Sequence, residues 1–147
     1  MHTHIDNPSP WAEYGSIETL HRLFPGLRPQ VTKLDDSVYP ASDNTSIDGA
    51  NGGTVPPAIL DERGWLYKNY FDVFRALRGS LEAVTFWGMA DDNTWIDSFP
   101  INRLDMPLPF DTRLQARPAD WGIVDPTHRA GYGLEVALAS RAGPSQS

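Results

Sequence analysis

The chain has 147 residues, enough for one domain, and its 19 acidic against 12 basic residues leave a formal charge of −7. That charge argues against nucleic acid and anionic membranes as partners, because both recruit cations. Cysteine is absent, which excludes disulfides, thiolate chemistry and cysteine zinc sites, and no run of about 18 apolar residues is present to span a bilayer.

In chain order, His2-Thr3-His4-Ile5 alternates like a short strand over roughly 1–5, and Asn7-Pro8-Ser9-Pro10 is turn chemistry. The opening MHTHIDNPSP has neither a basic region nor an apolar stretch, so no secretory signal is read there. In SIETLHRLFPG, Ile17, Leu20, Leu23 and Phe24 follow helical spacing, with Ser16 as the expected N-cap and Pro25-Gly26 as the stop. Gln30 to Leu34 predicts a strand that ends on the polar residues Lys33, Asp35 and Asp36. Residues 40–57, rich in Gly, Asn, Asp and Pro, predict a long loop.

Residues 60–78 predict the longest helix, striped by Leu60, Tyr67, Tyr70, Phe71, Phe74 and Leu77 and stopped by Gly79. AVTFWG at 83–88 is a near-continuous apolar run, as expected of a parallel strand covered on both faces. INRLDMPLPF is too proline-rich for a central strand, and PADWGIV at 118–124 predicts a short closing helix. LEVALAS at 134–140 could add a helical turn, and 127–147 is read as a flexible tail.

This repeated β-α alternation predicts an α/β fold with a parallel sheet, a partial (β/α)8 TIM barrel in which three strands of eight are present. A closed barrel needs about 250 residues. The active face of such a sheet lies at the strand C-termini. His2 and His4, then Lys33, Asp35 and Tyr39, then Trp87, Asp91, Asp92 and Trp95 fall there. Tryptophans beside carboxylates suit a sugar cleft, since flat apolar faces stack on sugar rings while carboxylates bind hydroxyls. Packing of the same tryptophans on a helix is the competing reading. Trp65 and Trp121 are read as packing residues, and Asp91 and Asp92 as a solvated loop without calcium-site spacing. The i, i+2 pair His2 and His4 has no evident third ligand, so no metal is expected.

VTFWGMADDNTW at 84–95 resembles the eighth-strand signature of glycoside hydrolase family 10, the endo-1,4-β-xylanases. VTKLDDSVYP at 31–40 is similar to its seventh-strand segment, MHTHIDNPS at 1–9 to the end of its sixth, and PLPFDTRLQARPADWGIVDP at 107–126 to its closing stretch. The resemblance covers residues 1–126, about strands six to eight with their helices, and implies a commonly secreted, xylan-degrading family without a cofactor. It implies that His2 supports the catalytic site, that Asp35 is the aspartate of the Thr-Glu-Leu-Asp motif, and that Tyr39, Trp87 and Trp95 bind substrate. Lys33 stands where the family places its nucleophilic glutamate. The general acid/base, a glutamate in an Asn-Glu-Pro-like motif on the fourth strand, would lie upstream. Asp36, Gly64 and Asp120 also depart from the family's usual residues.

Retaining hydrolysis needs two carboxyl groups about 5–5.5 Å apart. Lysine has three donors and no acceptor, so it cannot form the glycosyl ester. The chain alone is therefore expected to be inactive or nearly so towards xylan or xylo-oligosaccharide. Alternatives are a non-catalytic carbohydrate-binding fragment and a self-associating structural one. A three-stranded sheet has two open edges and is expected to leave Val84 and Phe86 facing solvent, which predicts a homo-oligomer or a complementing N-terminal half.

Overall fold

The computed structural model describes residues 8–39, 55–99 and 102–128, together with the backbone of His2 and Thr3. Residues 40–54 of the expected 40–57 loop, His4 and the segment 129–147, with its predicted helical turn at 134–140, lie outside the described residues, and the loop expectation fails at Pro57, which opens a helix.

Three strands form a parallel sheet in the order β1 (His2–Thr3), β2 (Gln30–Leu34), β3 (Ala83–Phe86). Cα partners are His2 with Lys33 and Thr3 with Leu34 on one side of β2, and Val31 with Val84 and Leu34 with Phe86 on the other. Among the described residues three α-helices cover one face: α1 (Pro10–Leu23), α2 (Pro57–Ala76) and α3 (Pro118–Val124). Helix α1 connects β1 to β2 and α2 connects β2 to β3, the crossover that parallel pairing requires.

Helix α1 begins at Pro10, seven residues before the start predicted from an N-cap at Ser16. Ser9 is the N-cap and its hydroxyl accepts from the Ala12 N–H, while Pro10 sits at a position where the missing N–H costs nothing. Ser16 instead lies within the helix and donates to the Ala12 carbonyl. The turn-like run Asn7-Pro8-Ser9-Pro10 thus contains the helix start signal. The Tyr70 hydroxyl donates to the Pro8 carbonyl and ties this start to α2.

The core lies between sheet and helices. Ile17, Val31, Leu34, Tyr67, Tyr70, Val73, Phe74 and Leu77 are buried together. Val31 and Leu34 are three apart yet face the same layer, because the register with β3 shifts between them. Val84 and Phe86 do not face solvent as expected. Both pack against this core, and the Phe86 ring stacks on Phe71 at 5.9 Å. In β2 and β3 the exposed residues are Gln30, Thr32 and Thr85, so their uncovered face is polar rather than apolar. Trp121 is 51% exposed and not a packing residue, because Ala119 and Gly122 form the buried side of α3.

Helices α2 and α3 meet at two glycines. A Cβ on Gly64 would lie 2.8 Å from Pro118 Cβ and from the Pro118 carbonyl oxygen, and one on Gly122 would lie 2.2 Å from the Gly64 carbonyl oxygen. Side chains at these positions would hold the helices apart. The Arg75 guanidinium donates to the Ile123 carbonyl and closes the same contact.

Candidate active site

The C-terminal ends of β2 and β3 lead into two loops that converge. The Trp87 N–H donates to the Leu34 carbonyl at 3.0 Å, extending the ladder one residue past β3. Thr85 and Trp87, at i and i+2, then share the face opposite Phe86 and the helices. Gly88 follows with φ +145°, a conformation L side chains rarely adopt, and a Cβ there would lie 2.7 Å from Leu108 Cδ1. Trp87 therefore stands at a sharp bend and is 46% exposed.

Lys33 reaches this ring. Its Nζ lies 3.8 Å from the Trp87 ring centroid, a cation–π contact between the ends of neighbouring strands. Beyond β2, Asp35 is fully buried and its Oδ2 accepts the Trp95 indole N–H at 2.7 Å. The Trp95 ring stacks on Phe99 with centroids 5.4 Å apart. Lys33, Asp35, Trp87 and Trp95 are thus gathered at one end of the sheet. The backbone of His2 joins them through its pairing with Lys33. Tyr39 is not brought to the opening: it is 1% exposed, its hydroxyl donates to the Leu104 carbonyl, and the Arg103 guanidinium covers its ring at 3.6 Å. As placed, no open face of that ring remains for a sugar.

A second set of groups, unread in the sequence, holds these loops. Arg63 of α2 donates to Asp36 Oδ2 at 2.8 Å and to the Ser37 carbonyl at 2.9 Å. Asp105 accepts from the Ser37 hydroxyl and the Val38 N–H. Asp91, taken as part of a solvated loop, is 3% exposed. It accepts the Leu108 N–H at 3.0 Å and pairs with Arg117 at 2.7 Å, while Asp92 is exposed. The proline-rich segment 103–110 is thereby pinned beneath both loops without forming a strand. Burial pushes the carboxyls of Asp36 and Asp91 up to about 7, against the opposing pull of Arg63 and Arg117. Burial raises Asp105 as well, opposed by its bonds to Ser37 and Val38.

The signal for Arg63 was available. Leu60, Arg63, Tyr67, Tyr70, Phe74 and Leu77 form one continuous stripe at spacings of three and four. An arginine in an apolar stripe implies a buried carboxylate partner. Nothing local marks Asp91 in this way, since its partners Leu108 and Arg117 lie far along the chain, and the bonds of Asp105 to Ser37 and Val38 are equally distant.

Chemically, among the described residues the gathered set presents one ammonium and two tryptophans, with the Asp35 carboxylate buried. Among the described residues no three His, Cys, Asp or Glu groups converge as metal ligands, and no helix is long and apolar enough to cross a membrane.

The family model for glycosyl hydrolase family 10 matches residues 1–126. Endo-1,4-beta-xylanase C of Paenibacillus barcinonensis is 40% identical over 128 residues, covering 80% of this chain and 11% of that protein. Thermostable celloxylanase of Thermoclostridium stercorarium is 35% identical over 126 residues, covering 85% and 31%. Among solved structures, xylanase B from Clostridium stercorarium F9 superposes with a TM-score of 0.76 at 36% identity, over 84% of this chain and 35% of that one. A mutant structure in complex with xylotriose matches at a TM-score of 0.70 and 32% identity, over 83% of this chain and 36% of that one. The chain therefore spans about a third or less of the length of these relatives. The three strands and their helices are part of a (β/α)8 barrel, and with this match of sequence, strand order and closing segment, the chain belongs to glycosyl hydrolase family 10.

Proposed function

We propose that this chain forms one wall of a xylan-degrading barrel's active site, and that as a 147-residue polypeptide it binds xylo-oligosaccharide without cleaving it. Residues 1–126 would be the barrel portion and 127–147 an appended tail. The observation that carries the reading is the grouping of Trp87, Trp95 and Asp35 around Lys33 at the strand C-termini. The tryptophans offer stacking surface, and Asp35 fixes the indole of Trp95. Lys33 stands where the family resemblance expects the nucleophile, with its charge lying against Trp87. The 147 residues also hold no Asn-Glu-Pro motif for the acid/base. With neither carboxyl in place, the two-carboxylate mechanism has no route. His2, paired with Lys33, and Tyr39, beneath Arg103, act as supports rather than as reacting groups.

Among the described residues β1 and β3 each pair with β2 alone, which leaves two sheet edges. The partner that closes them is a second copy of this chain or a complementing barrel half.

Reducing-sugar release from xylan and quenching of tryptophan fluorescence by xylotriose together test this reading. The chain should show no hydrolysis above background, and xylotriose should quench in the wild type and fail to bind Trp87→Ala. Release of xylo-oligosaccharides by the purified chain would overturn the non-catalytic assignment. Xylotriose binding that survives loss of both tryptophans would overturn the cleft.

A further inference from the structure

The opening at the sheet end carries an unusual charge for a site built to hold a neutral sugar. Lysine presents an ammonium with three donors and no acceptor. The Lys33 ammonium lies 3.8 Å over the Trp87 ring, and among the described residues no carboxylate forms an ion pair with it. The nearest carboxylate along the chain, Asp35, is 0% exposed, and its Oδ2 is held by the Trp95 indole at 2.7 Å. Lys33 itself is partly exposed, and Trp87 is 46% exposed. What reaches the solvent side of this corner is therefore a cation on an aromatic plate.

A neutral sugar stacking on that ring face must displace the ammonium or use the remaining edge. A sugar that carries a carboxylate gains a charge-assisted hydrogen bond from Lys33 while its ring lies along Trp87. The chain's net charge of −7 opposes any anion, but ions at physiological strength screen such repulsion over about 8 Å, whereas a contact pair is screened far less.

We propose that Lys33 and Trp87 together form a binding site for a carbohydrate bearing a carboxylate, a uronic or an aldonic acid. This assignment rests on the reading that the cleft takes up xylo-oligosaccharide, and it names the ligand class that the substituted position selects. A single hydrogen bond to a charged group gives roughly tenfold to a hundredfold in affinity.

The test is titration calorimetry of the 147-residue chain at low salt with three probes. They are xylotriose, xylotriose oxidised to the aldonic acid at its reducing end, and xylotriose bearing a uronic acid branch. At least one acidic probe should bind about tenfold or more tightly than xylotriose, and which one does so identifies the carboxylate's source. The preference should shrink as salt is raised. It should vanish in Lys33→Gln and survive in Lys33→Arg, which keeps the charge. Equal affinity for all three probes, with xylotriose still bound, would overturn the acidic-sugar assignment and leave the cleft intact. Failure of every probe to bind would remove the underlying cleft reading as well. The comparison of probes on the wild-type chain stands even if a Lys33 variant folds poorly.

Discussion

Two glycines in helices of this chain should respond in opposite directions to the same substitution. Gly122→Ala adds a Cβ that would lie 2.2 Å from the Gly64 carbonyl oxygen and 3.0 Å from the Lys68 backbone nitrogen. Ordinary contact begins near 3.4 Å, so α2 and α3 must part by roughly 1 Å. The obstructing atoms are backbone and cannot rotate away. Overpacking of this kind costs about 3 kcal/mol at the upper end of its usual range. Alanine's helix preference returns about 1 kcal/mol, leaving a net loss of about 2 kcal/mol. For a chain of this size that is a fall in Tm of about 4–8 °C. Gly15→Ala, in the exposed face of α1 with nothing within 4 Å of the new Cβ, gains the helix term without the clash. It should stabilise by about 0.5–1 kcal/mol. Urea unfolding followed by tryptophan fluorescence, at equal m-values, measures both. A neutral or stabilising Gly122→Ala would show that the two helices do not cross this closely.

Arg63→Ala leaves Asp36 buried without its cation and should cost about 3–5 kcal/mol in the same unfolding assay; a loss below 1 kcal/mol would mean that the loop after β2 is not held through α2. Stability should also fall as pH rises between about 4 and 7. The unfolded chain releases the protons of Asp36 and Asp91 near the ordinary carboxylate value of about 3.9, while the folded chain keeps them until about 7. Unfolding in that window releases protons, so each group destabilises the fold by up to about 1.4 kcal/mol per pH unit, and the slope flattens above both folded values. Tm should therefore rise on acidification from pH 8 to 5, and the rise should be lost in the Asp36→Asn, Asp91→Asn double variant. An unchanged slope in that variant would place the titration elsewhere.

Much of the architecture was legible from local pattern. The bounds Gln30–Leu34 and Pro118–Val124 were readable because the β-branched run and the proline-started helix are short-range signals. The alternation of elements and the parallel sheet follow from the order of those signals, while the family is carried by the resemblance of the segments 1–9, 31–40, 84–95 and 107–126. Local reading failed where one residue type serves two purposes. Ser9-Pro10 is both a turn and a helix start, and the second role wins because Tyr70 ties the preceding carbonyl to α2.

For the site, the sequence by itself placed Lys33, Asp35, Trp87 and Trp95 at the strand ends, together with Tyr39, which the structure buries, and the family resemblance marked Lys33 as standing where a carboxylate was expected. Only the tertiary structure decided their partners. The contact of Lys33 with Trp87, the bond from Trp95 to Asp35, and the pairs Arg63–Asp36 and Arg117–Asp91 each join segments distant in sequence. It also decided which of several similar aspartates lost their water. Asp91 is enclosed while Asp92 is exposed, although the two read alike as carboxylates of one solvated loop. The reason is physical: composition and spacing carry local conformation and periodicity, but burial and ion pairing depend on which distant surfaces close over a group.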